Sequence, residues 1–309
     1  MKKFHAFAWL TLISLLNACS APHTANIPVA ETPFPSTTNK QAPSLAIPKD
    51  TKFRVCADPL NPPYSSKKLD GYENKIAELF ASQLDQEVEY YWFPQRIGFV
   101  RNTLKAKINE QSKQFKCDVI MGVPAGFDFT ATTNSYYHSS YVLLIAKGRG
   151  WDEITIPEQL RSLPLGQQKA LKIAMFDRGP GTAWLQASGL LEQGVPYQTM
   201  TGDDKNNTAM MIERELQVGH IDMVILWGPM AGYIMSHNPG AYKMLTMKSA
   251  LNMKFDYSMA MGVRYGDNAR KAQLNTLISK NQSEINKILQ SYHIPLLPIP
   301  EKKPRKDDD

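Results

Sequence analysis

Residues 91–104, YWFPQRIGFVRNTL, and 117–142, CDVIMGVPAGFDFTATTNSYYHSSYV, set out helix, strand, turn and strand in close succession. Cys117–Met121 is a short apolar run, the pattern of a strand buried on both faces of a parallel sheet. Gly122-Val123-Pro124 stops the run and predicts a loop at the strand's carboxyl end. Arg96–Ile108 reads as a helix rich in Arg and Asn, and Tyr136-Tyr137 leads into another strand. Open α/β sheets take ligands at the carboxyl edge of their strands, so this stretch has the layout of a cleft wall.

The flanking sequence extends that pattern. Phe53–Asp58 predicts a strand ending at Asp58, and Pro59, Pro62 and Pro63 then impose an irregular loop. Asp70-Gly71 makes a turn, Asn74–Leu84 carries Ile76, Leu79, Phe80 and Leu84 at helical spacing, and Val88–Phe93 is a second strand. Such a βαβαβ opening implies right-handed crossovers and a parallel sheet. A second set begins at Leu171–Met175, after which Arg178-Gly-Pro-Gly-Thr182 leads into a helix carrying Trp184, Leu185 and Leu190. Asn207 or Thr208 caps a helix that stops at Gly219. Asp222–Leu226 is a buried strand, and Trp227-Gly228-Pro229 repeats the strand-then-Gly-Pro arrangement of Gly122–Pro124. Tyr257–Val263 predicts a returning strand and Asn268–Gln290 an amphipathic helix.

Residues 52–298 resemble the family 3 (type II) periplasmic solute-binding proteins. The run Arg96–Leu104 is similar to the branch associated with PQQ-containing quinoprotein (methanol or alcohol) dehydrogenases. The resemblance implies an α/β, two-lobe type II fold, each lobe a mostly parallel sheet flanked by helices. The first lobe would span 51–147, the second 148–248, and 249–298 would return to the first. Crossings near Ala146–Gly150 and Lys248–Asp256 would form a hinge whose closure traps a ligand.

The N-terminus sets the compartment. Lys2-Lys3 precedes an apolar stretch, Ala6–Leu16, too short for a comfortable span, and Leu16-Asn17-Ala18-Cys19 matches a lipobox. Residues 1–19 thus read as a lipoprotein signal peptide with Cys19 the lipidated residue, and Ser20 after it points to the outer membrane, facing the periplasm. The Pro- and Thr-rich segment 20–50 reads as a disordered tether of at most ~90 Å reach, and 299–309 as a charged tail. An oxidising compartment permits a Cys56–Cys117 bridge. Cys56 closes its strand and Cys117 opens the neighbouring one, an offset that keeps two buried free thiols equally compatible.

Composition excludes several classes. The net charge of +6 is spread thinly, and no stretch interleaves basic and aromatic residues, which argues against nucleic acid. There is no G-x-S-x-G elbow, no i, i+4 histidine pair and no CxxC, so neither an enzyme, a metal nor a cofactor is expected. Met244, Met247, Met253, Met259 and Met261 read as adaptable core filler rather than copper ligands.

The predicted cleft set is Asp58, Tyr64, Tyr72, Gln95, Arg96, Arg101, Gly122, Pro124, Phe127, Tyr136, Tyr137, Arg178, Gly181, Thr182, Trp227, Gly228 and Pro229. Amino-acid-binding members of the resembled family grip an α-carboxylate with an Arg and an α-ammonium with an Asp. Counted from Tyr136-Tyr137 and Gly219–Asp222, those positions fall near Gly126 and at Trp227. Burying a zwitterion without paired charges costs several kcal/mol, so a free amino acid is not the expected ligand. What the resemblance implies is a non-catalytic partner of a PQQ-dependent dehydrogenase. The alternative is a receptor delivering a small uncharged or anionic solute to an ABC permease.

Overall fold

The computed structural model describes residues 51–177, 179–199, 206–250 and 252–301. Cys19, the tether 20–50, Arg178 and all but the first residues of the 299–309 tail lie outside them. The strands are β1 (Lys52–Ala57), β2 (Leu60–Asn61), β3 (Ser65–Ser66), β4 (Glu87–Trp92), β5 (Val119–Pro124), β6 (Ala131–Ala146), β7 (Ile173–Phe176), β8 (Gly194–Tyr197), β9 (Met223–Trp227), β10 (Tyr242–Thr246), β11 (Asp256–Val263) and β12 (Leu296–Leu297). The helices are α1 (Tyr72–Gln83), α2 (Phe99–Asn102), α3 (Leu165–Ala170), α4 (Pro180–Ala187), α5 (Thr208–Val218), α6 (Gly228–His237) and α7 (Asn268–Ser291).

Hydrogen bonding orders the main sheet β4-β1-β5-β11-β6-β9-β7-β8, with β10 and β12 also on β6. The parallel ladders β4-β1-β5 and β9-β7-β8 sit at its two ends. Between them β6, 16 residues long, serves both halves. Its residues 131–140 pair with β11, and its residues from Tyr141 onward pair with β9 and β10. The chain thus passes between halves at Ser140–Tyr141, ahead of the predicted Ala146–Gly150 crossing, because β6 stays hydrogen-bonded on both sides through Ala146. It returns between Thr246 and Asp256.

Each half has its own core. Phe53 and Val55 of β1, Ile76 and Phe80 of α1, and Leu274, Ile278 and Leu289 of α7 share one cluster. Leu143 and Ile145 of β6 join Trp184 and Ile225 in another, while Val142 and Leu144 on the opposite face join Ile212 and Leu226. That alternation is the period-two signature of a strand covered on both faces. Asn207 caps α5 by accepting from the Ala209 N–H at 2.8 Å, and Gly219 ends it at φ +79°.

Three local expectations change. The predicted helix Arg96–Ile108 shrinks to the single turn α2, because Gly98 enters at φ +90° and Thr103 leaves helical backbone. Gly122–Pro124 is no loop: β5 continues through Pro124, held by Met259↔Pro124 and Ala260↔Val123 pairing with β11. Gly228-Pro229 likewise forms the first turn of α6, where proline's missing N–H costs nothing.

Cys56 and Cys117 are bonded, with Cα atoms 5.3 Å apart. The chain bends at Asp118 before β5 starts, which removes the offset expected for a straight strand. Asp118, itself buried, pairs with Arg264 at 2.7 Å and Arg54 at 3.0 Å, and Arg264 also donates to the Cys117 carbonyl at 2.7 Å. The bridge closes a loop of sequence separation 61. Replacing both cysteines by alanine should therefore lower unfolding stability by about 2–4 kcal/mol in a denaturant titration. An unchanged midpoint would show that the bridge constrains nothing.

Candidate functional site

A cleft of about 440 Å³ opens between the halves of the sheet. Of the residues predicted to line it, Asp58, Tyr64, Gln95, Gly122, Pro124 and Trp227 do. Asn61, Glu73, Tyr141, Asn207, Tyr257 and Met259 also line it and were not among those predicted.

Asp58 ends the cleft-facing side of β1 and is only 8% exposed. Its carboxylate accepts from the backbone N–H of Leu60 at 2.8 Å and of Gln95 at 2.5 Å. Burial pushes this carboxyl up from its ordinary range, partly offset by those two N–H groups. Its acceptor capacity thus goes into pinning the loop before Phe99 onto β1.

Glu73 is the unexpected group. It sits in the first turn of α1, and its carboxyl lies over Gly122, where an added Cβ would collide with Glu73 Oε1. A side chain at position 122 would displace that carboxyl. Among the described residues nothing hydrogen-bonds the Glu73 carboxyl. Desolvation, reinforced by the nearby Asp58 charge, raises its pKa to about 8.

The opposite wall is aromatic. Tyr141 and Trp227 are cross-strand partners with ring centroids 5.4 Å apart, and Tyr257 lies 5.9 Å from Trp227 and 6.3 Å from Tyr141. The two walls meet through amides: Asn207 Nδ2 donates to Asn61 Oδ1 at 2.8 Å, and Asn61 Nδ2 donates to Gln95 Oε1 at 2.8 Å. Asn207 thereby caps α5 with its oxygen and reaches across the cleft with its nitrogen.

The remaining predicted residues lie elsewhere. Tyr72, Tyr136 and Tyr137 are fully buried; the Tyr72 and Tyr137 hydroxyls bond each other at 2.9 Å and Tyr136 donates to the Met121 carbonyl. Arg96 is exposed and stacks over Phe93, and Arg101 is exposed on α2. Phe127 packs on Phe129 outside the cleft. Gly181 lets α4 approach Ile225, and the Thr182 hydroxyl donates to the Phe176 carbonyl. Gly228 abuts Ser140 and Pro295, and Pro229 is buried at the start of α6. Gly126, near which the family's carboxylate-gripping Arg would fall, is an exposed turn residue at φ +80°.

His138 bonds Ser258 at 2.9 Å through Nδ1 and Asp256 at 3.0 Å through Nε2. This trio bridges β6 and β11 beside the passage between halves, and none of its members lines the cleft. Among the described residues no group of three His, Cys, Asp or Glu side chains is placed to hold a metal.

No protein-family model matches the chain. A relative named Protein MoxJ, from Methylorubrum extorquens, is 26% identical over 274 residues, covering 84% of this chain and 86% of its own. The crystal structure of periplasmic binding protein XoxJ from Methylobacterium extorquens AM1 superposes with a TM-score of 0.63 at 30% identity, over 80% of this chain and 100% of that one. An ancestral cationic amino acid solute binding protein, 16% identical, has a TM-score of 0.59 over 78% of this chain and 95% of its own and shares the fold. Sheet order and cleft define a type II periplasmic binding protein. Within that class, the chain belongs to the periplasmic binding protein family of XoxJ and MoxJ.

The position of Glu73 has a measurable consequence. Between the unfolded carboxyl's pKa near 4.5 and the folded value of about 8, the folded state holds a proton that the unfolded state has lost. Stability therefore falls as pH rises through that window. Glu73→Gln should remove this component, so the Tm difference between variant and wild type should grow in the variant's favour by roughly a few degrees from about pH 5 to about pH 8. A difference that stays constant with pH would place the ordinary, ionised carboxylate in the cleft.

Proposed function

We propose that this chain is a non-catalytic, solute-binding-like lipoprotein that assists a PQQ-dependent methanol or alcohol dehydrogenase in maturation or activation. The observation that carries this reading is the chemistry of the cleft. Trp227 stands where a carboxylate would grip an α-ammonium, and no Arg is among the described lining residues. A trap with this architecture and without those charges is ill suited to collecting amino-acid nutrients. The similarity to MoxJ and XoxJ and the RIGFVRNTL run, which resembles the dehydrogenase-associated branch, support a dehydrogenase as the partner.

In this reading Cys19 is acylated and anchors the protein to the outer membrane, with residues 20–50 holding the two lobes in the periplasm. The lobes move about Ser140–Tyr141 and the segment between Thr246 and Asp256, and the Asn61–Asn207 contact marks the closed arrangement. In this reading the PQQ belongs to the dehydrogenase.

Affinity capture of the tagged protein from a methylotroph periplasm should retrieve a PQQ-dependent dehydrogenase. Recovery of an ABC permease and no dehydrogenase would favour the transport-receptor reading instead. In the same preparation, glutamate and glutamine should leave the thermal midpoint unmoved. A true ligand at 100 times its Kd adds ~2.7 kcal/mol, so a clear shift with either would defeat the missing-anchor argument.

A further inference from the structure

We propose that the cleft is a receptor site for a small organic ammonium ion, with the Glu73 carboxylate as counter-ion and Tyr141, Trp227 and Tyr257 as an aromatic cage. This inference concerns the cleft alone and stands whether or not a dehydrogenase is the partner.

The lining itself selects for sign. Its charged members among the described residues, Asp58 and Glu73, are both acidic. Asp58 is committed to the Leu60 and Gln95 N–H groups, which leaves Glu73 as the carboxyl with unused acceptors facing the cavity. An anion entering here meets two carboxyls. A neutral guest leaves Glu73 as a desolvated acid. Only a cation turns that desolvation into a paired interaction.

The second observation is the cage. Three rings with centroids 5.4 to 6.3 Å apart, tilted at 59° to 73°, form a corner of the cleft built of aromatic surface. Aromatic faces carry negative quadrupole potential and hold alkylammonium groups without requiring hydrogen bonds. Tyr257 already has the Lys254 ammonium over one face at 4.8 Å, and Trp227, the strongest platform of the three, has no such occupant among the described residues. A volume of about 440 Å³ admits an ammonium bearing several alkyl carbons rather than a bare inorganic ion.

Ion pairing makes the binding pH-dependent. The titratable groups around Glu73 are Asp58 from β1, Tyr64 from the loop between β2 and β3, its helix neighbour Tyr72, Tyr90 from β4, and Tyr136 and Tyr137 from β6. All are acidic or neutral, and burial raises the pKa of each. Glu73 is therefore the group that changes charge in the neutral range, and a bound cation displaces its proton.

Tetramethylammonium chloride is the probe, because its charge is the same at every pH. Calorimetric titration of the full chain should give one saturable site whose Kd falls by about tenfold per pH unit below about pH 8 and levels above it. Glu73→Gln should abolish that slope and raise Kd at least ~tenfold above pH 8. Trp227→Leu should raise Kd by about as much and leave the slope intact, a check that survives if the Glu73 variant folds poorly. Absence of saturable binding by the wild type, a pH-independent Kd, or equal uptake of sodium acetate at matched ionic strength would each overturn the proposal.

Discussion

The structure depends on one long strand being shared. β6 lends its first ten residues to the sheet built on β1, β5 and β11, and the remainder to the sheet built on β7 and β9. Both halves are then joined by a segment that stays paired from one to the other, with register shifts confined to its β11 side. Tyr141 is where the change of partner occurs. Its N–H donates to the Phe255 carbonyl at 2.7 Å and its carbonyl accepts from the Met247 N–H at 3.0 Å, so both passages of the chain are tied to one residue. The same residue points its ring into the cleft against Trp227. Backbone geometry at the passage and the shape of the aromatic wall are thus coupled through a single residue.

Polar chemistry in the cleft follows from close packing rather than from exposed charge. Gly71 brings the start of α1 against the Tyr64 carbonyl, where a side chain would collide with backbone. Gly122 clears the space into which the Glu73 carboxyl leans. Two absent side chains on different elements therefore create the environment of one acid. Partial burial beside the tyrosines desolvates it, and this desolvation is what shifts the proton equilibrium. Asp58 shows the contrast: two N–H donors hold its oxygens, and the group becomes a fastener for the Gln95 loop.

The tyrosines also show how an aromatic-rich stretch divides. Tyr136 and Tyr137 face the core made by α1 and α7, although they adjoin the cleft-forming end of β6. Their hydroxyls find buried partners in Met121 and Tyr72, which satisfies the polar end of a side chain chosen for its bulk. Tyr141, four positions on, is half-buried and faces the ligand space. Sequence proximity to the cleft edge therefore predicted the right strand and the wrong faces.

Local sequence determined a good part of this protein by itself. Apolar runs placed β1, β5 and β9, helical periodicity placed α1 and α7, and Asn207 and Gly219 bounded α5, because each signal acts within one element. It also placed Asp58, Gly122 and Trp227 at the cleft, since strand ends mark the ligand edge of such sheets. What it could not show depends on contacts between distant segments. A bend at Asp118 decided the disulfide, and pairing to β11 decided that Gly122–Pro124 is strand. Glu73, which reads locally as an ordinary acid in a helix's first turn, became the charged feature of the site only when tertiary packing laid its carboxyl over Gly122 and closed the tyrosines around it.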